Sequence, residues 1–321
     1  MANLPLKQTL DRIPGGMMLV PLLIGCIVST FAPDVPKRLG SFSGALFTGA
    51  IPILAVFYVC MGATVEFRTT PYVLRKGGVL LATKIGCGLL AAFILRGWIG
   101  IAPVSSGWFA GLSTLAVVAA INDTNGGLYM ALMSQYGRPR DAAAYSIMSI
   151  ESGPFLTMLT LGIAGFSSFD RLALLGAILP LLVGMILGNL DAKMRQFLGA
   201  AVPVLIPFFA FALGTTIDLH NLGRSGLLGI GLGLFVVAFT GIALFTMDHI
   251  NGGNGVAGLA AASTAGNAAA VPALVAGVNS AYAPAAASAT VLVSASVMVS
   301  ALVVPLITAW WAGRVKAQVS D

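Results

Sequence analysis

The sequence predicts an all-α membrane protein of ten transmembrane helices, arranged as two inverted five-helix repeats with discontinuous crossing helices four and nine. Three observations carry that expectation. Hydrophobic residues make up 58% of the 321 and charged residues only 9%, against about 25% charged in soluble domains. Ten apolar runs of spanning or near-spanning length follow one another, with loops too short to hold a soluble domain. The two halves also repeat each other's motifs in the same order.

Taken in order, a polar start with Lys7 and Arg12 leads into a first span at about 13–31. That run is long enough to cross and no small-residue cleavage site stands out after it, so it is expected to be retained. Pro33, Pro36, Lys37 and Arg38 form a loop, and a second span comes at about 42–65. A third span is expected at about 77–98, and a fifth at about 142–166 after Arg138, Pro139 and Arg140. Five more are expected at about 172–190, 197–217, 226–247, 255–278 and 285–311. The whole chain, 1–321, is one transmembrane domain, with repeat one at about 13–166 and repeat two at about 172–313.

The fourth span is the unusual one. Apolar runs at 108–121 and 128–133 flank Asn122-Asp123-Thr124-Asn125-Gly126-Gly127. Four polar side chains and two glycines cannot continue as ordinary helix in hydrocarbon, because each unsatisfied backbone group there costs several kcal/mol. The break must face protein or a wet cavity. Interrupted helices at mid-membrane present unpaired N–H and C=O groups to a solute, which points to a solute carrier.

Four pairs of strings carry the repeat. Val20-Pro21-Leu22-Leu23-Ile24-Gly25 matches Leu179-Pro180-Leu181-Leu182-Val183-Gly184, and Gly62-Ala63-Thr64-Val65-Glu66-Phe67 matches Gly214-Thr215-Thr216-Ile217-Asp218-Leu219. Ala110-Gly111-Leu112 matches Ala257-Gly258-Leu259, and the alanines from Ala142 match those from Ala285. The offset falls steadily, so the second copy is a slightly shortened first. Five spans per copy is odd, which turns the second copy upside down.

The loops on the N-terminal side hold eleven Lys and Arg, including Arg68, Arg75, Lys76 and Arg138. The opposite side holds five, Lys37, Arg38, Arg96, Arg171 and Arg224. Both termini are therefore expected in the cytoplasm. The net charge of +6 sits mostly in these loops and sets orientation, so no nucleic-acid partner is expected.

If the repeat holds, the ninth span is broken too, at Ser263-Thr264-Ala265-Gly266-Asn267, with Pro272 disturbing the helix beyond it. Half-helix N-termini at Gly127 and Asn267 would then offer partial positive charge to a carboxylate, with Gly126 and Gly266 beside them. Asn122, Thr124, Asn125, Ser263 and Thr264 would read hydroxyls. The alternative is an ordinary packed helix whose polar side chains tie neighbours together.

Asp123 either titrates, pairs with a cation, or caps the second half-helix. Glu151 lies about 16 Å into the fifth span at helical rise, too deep to snorkel. A carboxylate there is protonated, paired or fully hydrogen-bonded, and the first of these is what a proton carrier uses. Pro154 should also free the carbonyl of Ile150 beside it. Lys84 either snorkels from the third span or pairs with Asp123 or Glu151 or attracts an anion. Trp98, Trp108, Trp310 and Trp311 read as interfacial belt residues.

No cofactor or metal is expected. His220 and His249 lie at span ends, and no HExxH, HxxxH or CxxC spacing occurs. Cys26, Cys60 and Cys87 lie in apolar runs and are expected as free thiols. An intramembrane enzyme using the Asp123 and Glu151 pair is the rival class, but it has no need of a second, carboxylate-free broken helix. A channel would want one continuous polar seam.

Five strings stand out: Ile13-Pro14-Gly15-Gly16-Met17-Met18-Leu19-Val20-Pro21, Ile51-Pro52-Ile53-Leu54-Ala55-Val56, Asn125-Gly126-Gly127-Leu128-Tyr129, Glu151-Ser152-Gly153-Pro154 and Ile206-Pro207-Phe208-Phe209-Ala210-Phe211-Ala212-Leu213-Gly214. In these the chain resembles the 2-keto-3-deoxygluconate permease family of bacterial inner-membrane carriers. The resemblance covers about 13–316. It implies uptake of 2-keto-3-deoxygluconate, or a similar sugar-acid anion, by proton symport across the inner membrane. It also implies kinship with the bile acid and sodium symporter fold, with a panel of helices one, two, six and seven. Helices three, four, five, eight, nine and ten would form the core that moves against it. Ser294 stands where the second copy matches Glu151. Sodium coupling through Asn122, Asp123 and Glu151 is the runner-up.

Overall fold

The computed structural model describes residues 5–12, 16–66, 71–215 and 225–320. The expected start of the first span, Phe67 and Arg68, the end of the seventh span from Thr216 to Leu219, His220 and Arg224 lie outside the described residues. Among the described residues every regular element is a helix.

Helix α1 (Leu6–Arg12) precedes α2 (Gly16–Phe31), and α3 (Val35–Leu39) makes the first loop. The expected second span is two helices, α4 (Ser41–Thr48) and α5 (Ala50–Ala63), bent by 71° at Gly49. Helix α6 (Pro71–Leu95) runs unbroken and starts earlier than the apolar run suggests. Helices α7 (Thr114–Ile121) and α8 (Gly126–Tyr136) flank the first break.

Next come α9 (Pro139–Ala143), α10 (Tyr145–Met148) and a 3-10 turn at Ser149–Glu151. Helix α11 (Pro154–Ile163) comes after a 61° bend, so the fifth span is also not one helix. Helices α12 (Arg171–Leu190), α13 (Ala192–Gly214) and α14 (Ser225–Ile250) are continuous. Helix α15 (Val256–Ala260), a 3-10 turn at Gly266–Ala270 and α16 (Val271–Val278) build the ninth span around the second break. A final long helix, α17 (Ala283–Ser320), ends the chain.

Five of these helices, α6, α12, α13, α14 and α17, are long and apolar enough to cross a membrane alone, and seven crossings result if each bent pair counts as one. The protein is a multi-pass membrane protein.

Two local differences from the sequence reading have clear causes. The first half of the fourth span begins at Thr114, not near Trp108. Gly107 and Gly111 sit at φ 84° and 91°, which L side chains rarely adopt. Their turn pairs Gly111 N with Val104 O at 2.8 Å and Val104 N with Leu112 O at 2.9 Å, and Ser113 then caps α7. Pro272 does not disturb a helix. It stands in the first turn of α16, where its missing N–H costs nothing.

Close helix pairs rest on glycine. Helix α2 packs on α13, and α5 packs on both α12 and α13. A Cβ on Gly25 would lie 2.3 Å from Phe211 O, and one on Gly214 would lie 2.0 Å from Leu22 O. The same holds between α5 and α12: a Cβ on Gly62 would lie 2.1 Å from Leu181 O, and one on Gly184 1.9 Å from Val59 O. Small residues let the backbones approach in this way without any hydrophobic drive in lipid. Helices α6, α14 and α17 surround α7 and α15 on the other side, so both breaks lie inside protein.

Candidate functional site

The two breaks meet and satisfy each other. Ala265 N donates to Asp123 O at 2.9 Å, a backbone bond from one break to the other. Two threonines make reciprocal bonds: Thr264 Oγ1 donates to Ala120 O at 2.9 Å, and Thr124 Oγ1 donates to Ala261 O at 3.3 Å. Asn125 N donates to Ser263 Oγ at 3.1 Å. Polar groups freed by breaking a helix at this depth thus find protein partners, as the energetics demand.

Each expected site residue has a definite place. Asn122 ends α7 and its Nδ2 donates to Thr160 Oγ1 at 3.0 Å. Asp123 does not cap the second half-helix; Asn125 does, accepting from Leu128 N at 3.1 Å. Asp123 Oδ2 instead accepts from Asn267 Nδ2 at 2.5 Å. Glu151 closes its 3-10 turn, and its Oε1 accepts from Thr124 N at 2.6 Å. Pro154 does not kink a continuing helix. Gly153 turns the chain at φ 110° and Pro154 opens α11 in its first turn.

Lys84 does not snorkel. Because α6 starts at Pro71, Lys84 falls in mid-helix with 0% exposure, and its Nζ donates to Ala261 O at 3.0 Å and Ser263 O at 2.7 Å. Asp123 (2% exposed) and Glu151 (1%) lie within electrostatic reach of Lys84 and of each other. One cation and two carboxylates therefore form a single buried cluster. Three oxygens around it, Asn122 Oδ1, Asp123 Oδ1 and Glu151 Oε2, are buried with no hydrogen-bond partner among the described residues.

A cavity of about 530 Å³ lies against both breaks. Asn125, Gly126 and Gly127 line it from α8, and Ala265, Gly266 and Asn267 from the second break. Phe57 and Met61 of α5 and Thr64 just after it face them with Gly199, Val202 and Ile206 of α13. The cavity thus gathers Asn125, Gly126, Gly127, Gly266 and Asn267 but not Asn122, Thr124, Ser263, Thr264 or Lys84, whose polar groups hold the breaks together. Asn267 belongs to both settings, lining the cavity and holding Asp123.

A family model described as 2-keto-3-deoxygluconate permease matches residues 7–317. The chain belongs to the 2-keto-3-deoxygluconate permease family. A permease of that name from Xanthomonas euvesicatoria pv. vesicatoria is 52% identical over 310 residues, covering 96% of this chain and 98% of the relative. Those of Escherichia coli O7:K1 and Dickeya chrysanthemi are each 50% identical, covering 98% and 97% of this chain and 96% and 92% of the relatives. Among solved structures, the sodium proton antiporter MjNhaP1 from Methanocaldococcus jannaschii superposes with a TM-score of 0.54 at 16% identity, covering 95% of this chain and 94% of that one. That likeness speaks to the fold alone. A member of this permease family is a transporter, which removes the intramembrane enzyme from consideration.

Residues with no signal in the sequence also pack and bond around the breaks. Ser296 Oγ pairs with Thr264 Oγ1 at 2.8 Å, and Ser300 Oγ accepts from Thr264 N at 3.0 Å. Ser300, and not Ser294, thus does for Thr264 what Glu151 does for Thr124; Ser294 Oγ bonds Thr290 O within its own helix at 2.7 Å. Serines in an apolar helix carry no spacing signal that would single them out. Gly88 leaves room for Asn122, whose side chain would have to shift for a Cβ there, 1.9 Å from Asn122 Oδ1. Gly126 is required beside Tyr145, whose ring carbon would lie 1.9 Å from a Cβ.

Proposed function

We propose that this permease is a secondary active carrier that imports 2-keto-3-deoxygluconate, or a similar sugar-acid anion, by proton symport with alternating access. The observation that carries the reading is the position of Asn267. It lines the cavity where the substrate would sit and holds Asp123 Oδ2 at 2.5 Å, so occupancy of the cavity and the state of the buried carboxylates share one side chain. The substrate carboxylate binds at the N-terminal end of α8, near Gly126 and Gly127, where the positive end of the helix dipole favours an anion. Asn125 and Asn267 read its hydroxyls. Thr124 and Thr264, with Asn122 and Ser263, hold the breaks in place.

Glu151, with Asp123, carries the proton. With Lys84 charged, two ionised carboxylates leave the cluster with one negative charge, and a single proton neutralises it. A proton travelling with a monovalent anion makes the cycle electroneutral. The names of the relatives support the substrate, and the antiporter fold fits a secondary transporter.

Ten crossings result if α2 and the two interrupted helices join the seven counted above. The inverted repeat is supported by the paired glycine contacts of α2 with α13 and of α5 with α12, and by the reciprocal threonine bonds at the breaks. We take α2, α4 with α5, α12 and α13 as the panel and the rest as the moving core. A second cavity of about 330 Å³ lies between them, lined by Tyr58 and Pro180 from the panel and by Pro154 and Gly277 from the core. With both termini in the cytoplasm of a bacterial inner membrane, the larger cavity opens inward.

Sodium coupling is the second reading, favoured by the unpartnered oxygens of Asn122, Asp123 and Glu151. Uptake of labelled 2-keto-3-deoxygluconate into proteoliposomes separates the two. Accumulation driven by an inward proton gradient without sodium is expected; uptake that ignores pH and requires sodium would replace the proton with the metal ion.

A further inference from the structure

Among the described residues Lys84 is the one cation at the level of the breaks, and its immediate partners are not carboxylates. Two of its three donors go to the carbonyls of Ala261 and Ser263, at 3.0 and 2.7 Å, which the interruption after α15 sets free. Beyond these, Glu151 and Asp123 face it from the fifth span and the first break, with the Cys87 thiol on its own helix. Carbonyls of an unwound helix together with carboxylates are the donor set that holds a coupling cation in secondary transporters. Here a side chain of the protein fills it.

We propose that Lys84 is a tethered cation, whose ammonium takes the carbonyl site at the second break that a free monovalent cation would otherwise occupy and so commits the carrier to protons. The proposal rests on the proton-coupled reading above and deepens it. A covalently held charge stays with the protein through the whole cycle. It offsets one of the two carboxylates in every state and leaves the other to be neutralised by a species that moves with the substrate. A proton can bind an oxygen already crowded by an ammonium; a second metal-sized cation cannot share the same two carbonyls. Lys84 is thus a positioning and specificity residue, not a group that touches the sugar acid.

The test is the melting temperature of the purified full-length carrier in sodium chloride against choline chloride at equal ionic strength, for wild type, K84A, K84R and K84A/E151Q. Wild type and K84R are expected to melt alike in both salts. K84A should gain a saturable upward shift of several degrees in sodium alone, and K84A/E151Q should lose most of it. A folded K84A that melts identically in both salts overturns the tethered cation and leaves proton symport standing. A wild type that is itself saturably stabilised by sodium overturns the proton reading as well. Should K84A fail to purify as a single species, K84S removes the charge and is too short to reach the two carbonyls. It is expected to show the same sodium dependence, and its insensitivity would be equally decisive.

Discussion

Replacing each of the reciprocal threonines by valine should give unequal losses, although a perfect repeat would make them equal. Thr264→Val removes two bonds, to Ala120 O at 2.9 Å and to Ser296 Oγ at 2.8 Å, and strips the carbonyl at the end of α7 of this donor. A buried hydrogen bond is worth about 1 kcal/mol net and an acceptor left unsatisfied costs about 1–3 kcal/mol. The expected loss is about 2–4 kcal/mol. Thr124→Val removes one long bond of 3.3 Å to Ala261 O, and that carbonyl keeps Lys84 Nζ at 3.0 Å. Its loss should be about 0.5–1 kcal/mol. A difference of about 2 kcal/mol is roughly thirtyfold in the ratio of folded to unfolded protein. Denaturant unfolding of both variants in one detergent and lipid mixture measures it directly. If Thr124→Val costs as much as Thr264→Val or more, the bonding assigned to the two breaks is wrong.

Gly126→Ala places a Cβ 1.9 Å from the Tyr145 ring beside the cavity that both residues line, and on the proposed reading overpacking of about 1–3 kcal/mol should weaken substrate binding roughly 5- to 150-fold. Binding isotherms should show Tyr145→Ala in the same chain restoring most of it. Lys76 of α6 and Asp248 of α14 form a buried ion pair, and Asp248 Oδ2 also accepts from Gly255 N at 2.9 Å. Asp248→Ala should cost about 3–5 kcal/mol in unfolding, while the double variant K76M/D248L, which removes both charges, should cost less than Asp248→Ala alone.

Hydropathy made the membrane class and most spans readable, because a run of apolar residues in lipid has few alternatives to helix. The two breaks were readable for the complementary reason: Asn122 to Gly127 and Ser263 to Asn267 are incompatible with helix in hydrocarbon. Depth along a helix was harder. Lys84 looked close to an interface because its apolar run begins at Gly77, but α6 starts at Pro71 and puts it in mid-helix. Bends at single glycines were not legible either. Gly49 lies in a run that reads as one span, and Gly153 gains its meaning only with Pro154 opening α11. Which side chain caps a break depends on the path of the chain, and so Asn125 rather than Asp123 took that role. Ser296, Ser300 and Thr160 could be placed only once the helices carrying them were packed around the breaks.

Whether Glu151 couples the sugar acid to a proton is tested most directly by Glu151→Gln. Glutamine keeps an acceptor for Thr124 N while removing the proton site. In proteoliposomes loaded with unlabelled 2-keto-3-deoxygluconate, the variant should still exchange it for labelled substrate, since exchange needs no net proton movement. Under an inward proton gradient with empty vesicles, the same variant should fail to accumulate substrate where wild type succeeds. Gradient-driven accumulation by Glu151→Gln at the wild-type level would contradict this coupling and leave Asp123 as the carrier of the proton.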